Sequence, residues 1–499
     1  MQQIKRFWLF LLGLVLALSL SIGSIAIAPG ALLKALAQRP TSNSHTDTTN
    51  PSISLSTSPP SQPAILIGRA VLPADTFVPG PLSGEFLTPG APSNNKPVPF
   101  KGQPVQGFSG ILLNSDGTYL LLVDNGYGAK SNSADSLLVF YRLSAEFRTA
   151  VAGSGNVSVM EPVRLSDPDR KAGFPITADF KLYPKDPSAN PFPNGPLSNF
   201  PVDPTIRSQR LLTGLDFDPE SFRRAPDGSF WFGDEFGPFL LHTDSNGRLL
   251  EPPFSLPIPS TLRIYGRGAT VFRSPQNPAF FNLSNDTARL QVANIRGSKG
   301  FEGMALSPDG IKLYPLLEGP MLDDPDQSRL VISEFEIPKR RFTGRYFYYK
   351  LSVPYSSQSP NRNKIGDLTA INDHEFLIIE TDDGQGSTAA FKKVFKIDIN
   401  RIDAQGFVSK EEVVDLLNIS NPSNLAADAP PGSLGTGNPF KFPFVTIEAI
   451  QIINEQTILI SNDNNYPTTG GNGRRSNTTD DNEFIVLRLA QPLNVTTRN

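Results

Sequence analysis

Asp218-Pro-Glu-Ser-Phe-Arg-Arg-Ala-Pro-Asp-Gly-Ser-Phe-Trp-Phe-Gly-Asp-Glu-Phe-Gly-Pro238 sets an acid, a tight turn and a second pair of acids within one short stretch. Asp227-Gly228 lies between two apolar runs, the strongest short-range signal for a hairpin, because the favoured two-residue turns need positive φ. Glu220 and the Asp234-Glu235 pair stand almost equally far from that turn. A hairpin closed at Asp227-Gly228 therefore returns both ends to one sheet edge and gathers three carboxylates.

The pattern recurs four times. Ser109-Gly-Ile-Leu-Leu-Asn-Ser-Asp-Gly117 leads to Leu120-Leu-Leu-Val-Asp124-Asn125, and Glu302-Gly-Met-Ala-Leu-Ser-Pro-Asp-Gly310 leads to Glu318. Asp367-Leu-Thr-Ala-Ile371 turns at Asn372-Asp-His-Glu375 and returns to Glu380, while Glu448 opens a run that turns at Asn454-Glu-Gln456 and ends at Asn462-Asp463-Asn464. A hairpin alone cannot cover its apolar face, so five such units must stack around an axis. Leu137–Leu143, Leu330–Phe335, Val394–Ile399 and Phe484–Leu489 read as outer strands, and only Lys410-Glu-Glu-Val-Val-Asp-Leu-Leu417 reads as helical. The fold class is all-β, a β-propeller with long loops at the tunnel mouth; a sandwich or β-helix is the alternative. The 111-residue interval from Ser109 to Glu220 has room for a degenerate blade, which gives an expectation of six or seven.

The chain has 499 residues, a net charge of −3 and no cysteine. Near-balanced charge leaves no basic field for nucleic acid. Without cysteine there is no disulfide framework, thiolate chemistry or lipid-modified mature N-terminus. Lys5-Arg6, the apolar run from Phe7 and Ala35-Leu-Ala37 read as a signal peptide over 1–37, with an uncleaved anchor as the alternative. A Ser/Thr/Pro-rich spacer spans 38–65, the domain 66–490 and a tail 491–499. This predicts an exported protein, periplasmic or extracellular, monomeric and without a further membrane span.

In a propeller the innermost strand starts at one mouth of the tunnel and its antiparallel neighbour ends there. Glu220, Asp234, Glu235, Glu302, Glu318, Asp367, Glu380, Glu448 and Asp463 then crowd that mouth. One acid at a strand end is usually a solvated cap, but five registrations at matching ends argue for a shared site. So many carboxylates need shared protons or a bound cation. Oxygen-only donors suit a hard divalent ion of the Ca²⁺ type. Zinc is disfavoured, with only His45, His242 and His374 in the chain.

The Asp218–Pro238 run, Gly300-Phe-Glu-Gly-Met-Ala-Leu-Ser-Pro-Asp-Gly310, and Ser461-Asn-Asp-Asn-Asn-Tyr466 with Phe484-Ile-Val-Leu-Arg-Leu489 resemble the domain family called "esterase-like activity of phytase". The resemblance spans about residues 66–490 and implies an exported, propeller-like domain that hydrolyses phosphate or other small-molecule esters. There is no Arg-His-Gly-x-Arg-x-Pro signature and no Gly-x-Ser-x-Gly elbow, so the expected chemistry is metal-assisted. On that reading Glu220, Glu302, Glu448 and Asp463 are metal ligands and Asp234 or Glu235 is the general base. Consecutive strand residues point in opposite directions, so only one of that pair can face the tunnel. Arg223, Arg224 and Lys299 are the candidates to meet an anionic substrate. The competing class is a non-catalytic propeller, stabilised by Ca²⁺, that serves as a binding platform.

Overall fold

The computed structural model describes residues 62–496 except 88–93, 95, 186–196, 355–362, 468–472 and 477. The expected signal peptide, most of the spacer, His45 and most of two of the long, turn-rich loops expected at the mouth, Tyr183–Pro196 and Thr468–Asn477, lie outside the described residues. Among those described, no helix is long and apolar enough to cross a membrane.

Each of the five hairpins becomes the inner half of a four-stranded antiparallel blade. Blade I holds Phe108–Leu113, Tyr119–Val123, Val139–Glu146 and Asn156–Arg164; blade II holds Pro219–Arg224, Phe230–Asp234, Phe239–Thr243 and Phe254–Ser255. Blade III is Phe301–Leu306, Lys312–Leu317, Arg329–Glu336 and Arg341–Lys350, and blade IV is Asn363–Ala370, Glu375–Asp382, Lys392–Ile402 and Val408–Asp415. Blade V combines Thr446–Asn454, Thr457–Asp463 and Asn482–Arg488 with Ile65–Leu72, supplied from the start of the domain. The inner strands pack side by side in ring order, and blade V meets blade I again.

Burial explains why the ring closes. Strand alternation sends successive side chains to opposite faces of a blade. Leu120 and Leu122 pack toward blade II with Phe222, Phe230 and Phe232, whereas Leu121 and Val123 pack toward blade V with Leu459 and Phe484. Trp231 faces blade III with Met304 and Phe335. Phe376 and Ile378 look back to blade III, and Leu377 and Ile379 look on to Ile447 and Ile460 of blade V. One apolar cluster fills every gap between neighbouring blades, so no blade is left with a bare face.

The count is five blades among the described residues, not the expected six or seven. The long interval before Glu220 holds the outer strands of blade I and an excursion over 165–218 that contains a Leu182–Pro184/Leu197–Pro201 hairpin and a Pro204–Gln209 helix. This excursion buries Leu165, Ile176, Ile206, Leu212 and Phe217 against blades I and II. It thickens an interface, and its two-stranded sheet does not make a blade. The Lys410–Leu417 segment is also corrected: it runs as the outer strand Val408–Asp415, with Lys393 bonded to Glu412 at 2.6 Å and Lys396 to Glu411 at 3.0 Å. Cross-strand charge pairs decide against the helical reading there.

The turns follow their residues. Gly117, Gly228 and Gly310 have φ of 85°, 86° and 74°. Asp116, Asp227 and Asp309 each accept the backbone N–H two residues on at 3.0 Å, as Asx turns do. An ion cluster clasps blade V: buried Glu483 meets Arg69 at 3.1 Å and Arg474 at 2.7 Å, and at the surface Asp428 meets Arg69 at 3.2 Å and Arg148 at 3.1 Å. Burial alone would raise the Glu483 carboxyl, but the Arg474 and Arg69 guanidiniums pull it down to about 2.

Candidate functional site: an acidic tunnel mouth

One local device repeats in every blade and builds the site. The ladder between the two innermost strands slips between Phe108 and Gly110, Pro219 and Ser221, Phe301 and Gly303, Ile365 and Leu368, and Ile447 and Ala449. Each slip is a β-bulge, which leaves a residue unpaired and re-aims it. The unpaired residues are Ser109, Glu220, Glu302, Gly366 with Asp367, and Glu448. Carboxylate oxygens of Glu220, Glu302 and Glu448, from three blades, fall within 4.8 Å of one another. Ser109 Oγ donates to Glu448 at 3.3 Å. At Gly366 a Cβ would come 2.2 Å from the Ile447 carbonyl oxygen, so the fourth spoke has no room for a side chain.

A second tier comes from the returning strands. Asp124, Glu235 and Glu318 donate their backbone N–H to Gly107, Asp218 and Gly300 at 3.0, 2.8 and 2.8 Å. Asp463 pairs with Thr446 in the same register, and Thr381 with Lys364. Asp218 and Lys364 precede the bulge and complete the mouth. Glu235 and Glu220 lie with Asp218 in one group, and Glu235, Glu302 and Glu318 form another, each with oxygens within 4.8 Å. The three groups share Glu220, Glu235 and Glu302.

Charge is therefore in excess. Asp124, Asp218, Glu220, Glu235, Glu302, Glu318, Glu448 and Asp463 face two ammonium groups, Lys299 and Lys364, with a third, Lys130, acting on Asp218 from behind. Lys299 pairs directly with Glu318. Burial works against both ammonium groups, but Glu318 and Glu235 around Lys299, and Glu448 and Glu318 around Lys364, push them up. Burial first, then neighbouring carboxylates, holds Glu220, Glu235, Glu302 and Asp124 well above the usual carboxylate range. Glu448 is pushed up to about 8 and Asp463 to about 6, again mainly by burial. Asp218 accepts Asn125 Nδ2–H at 2.9 Å and shares a hydrogen bond with Glu220. Glu302 is 4 % exposed, and no donor bonds its carboxylate among the described residues. Oxygen-only donors, an unmet buried carboxylate and surplus negative charge fit a hard divalent cation.

The anticipated residues divide sharply. Glu220, Glu302, Glu448 and Glu235 come together. Asp463 borders them beside Glu448 without joining a group of three. Asp234 turns away and accepts the N–H of Asp218 at 2.8 Å and of Gly237 at 2.7 Å. Those bonds fix the turn, and they leave Glu235 as the member of the pair that faces the tunnel. Lys299 is at the mouth, engaged by Glu318.

Arg223 and Arg224 are elsewhere. They sit at the opposite ends of the inner strands, around a cavity lined also by Leu112, Leu306, Thr369 and Ile452. Arg223 bonds Asp367 at 2.8 Å and the Leu368 carbonyl at 2.7 Å, which plugs the tunnel below the acidic tier. Arg224 bonds Asn114 at 2.9 Å. Asp367 thus leaves the expected crowd, as does Glu380, which turns outward to Tyr349, Asn363 and Lys410. His242 stacks on Trp231 at 4.1 Å and bonds Ser229 and Glu251 away from the mouth.

Sequence reasoning missed Asp218, Lys364 and Lys130 as part of this neighbourhood. Asp218 and Lys364 each stand two residues before a bulge position, the spacing that returns a strand side chain to the same face. That repeat was visible in the chain. Lys130 carried no such signal; its Nζ donates to the Leu215 carbonyl at 2.8 Å and feels Asp234, Asp216 and Asp218, although burial still lowers it to about 8.

The family described as phytase-like, esterase-like activity of phytase, matches residues 103–466. An uncharacterized secreted protein of Arthroderma benhamiae is 24% identical over 305 residues, 56% of this chain; the match spans 58% of that relative's length. Among solved structures, a calcium-binding regucalcin from Agrobacterium tumefaciens aligns at a TM-score of 0.31 and 10% identity over 85% of this chain and 98% of its own. Virginiamycin B lyase from Staphylococcus aureus aligns at 0.27 and 10% identity over 76% and 94%. At such scores the fold rests on the strand ladders themselves. With the match covering most of the chain, the protein belongs to the phytase-like family.

Proposed function

We propose that this chain is an exported, metal-assisted ester hydrolase working at the acidic mouth. The observation that carries the reading is the overlap of three carboxylate groups on Glu220, Glu235 and Glu302, in a setting with more negative charge than its lysines balance. Glu220, Glu302 and Glu448 would hold a divalent cation, Ca²⁺ by donor type, with Asp463 extending the same oxygen surface. Such an ion, when bound, supplies Lewis-acid polarisation of the ester oxygen and a more acidic water. Glu235 takes the proton from the attacking water as the new bond to carbon or phosphorus forms, and returns it to the departing alkoxide as the ester bond breaks. Lys364, which pairs directly with no carboxylate among the described residues, is the group here best placed to meet an anionic substrate.

One observation favours a second reading. The carboxylates come from blades I, II, III and V, so a cation there would also tie blades together, as a structural ion in a binding platform does. Purified full-length protein assayed against 4-nitrophenyl phosphate and 4-nitrophenyl acetate, with Ca²⁺ and with chelator, separates them. Turnover lost in chelator and in Glu235→Gln is expected. No turnover of either ester, with chelator lowering only the melting temperature, would leave the platform.

A further inference from the structure

The acidic mouth has a neighbour. Between the Gly128–Ser131 turn and the segment around Pro275–Ser298 lies a cavity of about 410 Å³. Ser298 joins the two, since it lines the cavity and hydrogen-bonds Glu235. Lys130 forms part of the wall and is 7 % exposed. An ammonium carries three donors, and only the Leu215 carbonyl, at 2.8 Å, accepts from Lys130 among the described residues. Its Nζ lies 4.1 Å from the Phe236 ring centroid and 5.6 Å from that of Phe281, which bring no acceptor oxygen. Arg289, also buried, enters the same cavity from the Asp286–Val292 helix, with Asp286 beside it at 3.2 Å. Leu215, Phe281 and Leu290 supply apolar walls.

Arg289 already has Asp286 beside it, and Asp234, Asp216 and Asp218 act on Lys130 from a distance. No carboxylate bonds the Lys130 ammonium among the described residues, however, so its spare donors are left facing a largely apolar wall. A bare inorganic anion would not use the apolar walls, and a neutral ligand would not use the cations. We propose that this cavity binds a small organic anion with an apolar body, its acidic group on Lys130 and Arg289 and its body against Leu215 and Phe281. Taken as the pocket for the non-reacting part of an ester substrate, it rests on the hydrolase reading above. Taken as an anion site, it does not.

Calorimetric titration of full-length protein in chelator tests it with 1-naphthyl phosphate, 1-naphthol and inorganic phosphate. The naphthyl phosphate should bind at least about tenfold more tightly than either of the others, and Lys130→Gln and Arg289→Gln should each weaken it about tenfold or more, the worth of a charge-assisted hydrogen bond. Ala129→Trp, which fills the cavity from a half-buried rim position, should abolish binding with the melting temperature kept, and it decides the matter where Lys130→Gln fails to fold. Absence of naphthyl phosphate binding, equal binding of inorganic phosphate, or binding untouched by Ala129→Trp would overturn the proposal. Binding that these variants remove, in a protein that turns over no ester, sinks the hydrolase reading and keeps the pocket. Turnover of naphthyl phosphate with KM unchanged in the variants does the reverse.

Discussion

The two mouths of the tunnel are made by opposite ends of the same five strands, yet they share almost no chemistry. At the starting ends a bulge in each blade turns Ser109, Glu220, Glu302, Gly366 and Glu448 out of the ladder. At the finishing ends Leu112, Leu306, Thr369 and Ile452 line an uncharged rim around Arg223 and Arg224, and Arg223 is already matched by Asp367. One end therefore carries unmet charge and the other carries charge that is satisfied. Unmet buried charge points to a missing partner; satisfied charge points to structure.

The sharpest break of this contrast is Glu235→Gln against Asp234→Asn. If the acidic mouth is catalytic, Glu235→Gln should lower kcat by about 10²–10⁴-fold, measured on whichever nitrophenyl ester is turned over. Loss of the blade V clasp comes next: Glu483→Gln takes the carboxylate from buried Arg474 and leaves Arg69 only its pair with Asp428, and should cost about 3–5 kcal/mol in denaturant unfolding. The sign with pH is fixed, because the folded carboxyl sits at about 2, below its usual 4.5. Its stabilisation is present above pH 4.5 and is lost as pH falls toward 2, so wild type and variant should converge in acid. At the far mouth, Arg223→Leu strands Asp367 and should destabilise by about 3 kcal/mol while kcat stays unchanged; a fall in kcat without a fall in stability would erase the distinction between the mouths. Ca²⁺ at about a hundred times its Kd should add about 2.7 kcal/mol to wild type and nothing to a Glu220→Gln/Glu302→Gln variant, read by thermal unfolding. Asp234→Asn, which weakens two turn bonds, should cost only about 1 kcal/mol and leave kcat within a few-fold.

All five inner hairpins were legible in the chain, because Asp-Gly turns in three, Asn-led turns in two and apolar runs on either side are local signals. The blade count was not, since an interval long enough for a sheet was filled by an excursion whose apolar residues serve a neighbouring interface. Spacing placed Glu220, Glu302 and Glu448 at one mouth, but only in a crowd of nine acids that also held Asp367 and Glu380, which turn elsewhere. Which of Asp234 and Glu235 faces inward could not be read, because the choice is made by a slip of register that depends on the partner strand. Arg223 misled for the same reason: three residues after Glu220 in sequence, it lies beyond the bulge and toward the other end of its strand. Lys410–Leu417 misled because its charges have partners across a ladder that the segment alone does not reveal.

The strand Ile65–Leu72 finishes blade V by pairing with Asn482–Arg488, and Arg69 reaches Glu483 across 414 positions of chain. The first strand of the domain thus joins blade V only when the last one arrives, although its other edge lies along the outer strand of blade I, with Val71 opposite Asn156. Until then blade V is incomplete, and the first strand has only the edge of blade I to bond, through Arg148 and Gly155. Pairing at such sequence separation carries a large loop-closure cost, so ring completion is expected to be the slow step of assembly. A truncation that removes Ile65–Leu72 or Asn482–Arg488 should accordingly be felt at the seam between blades V and I.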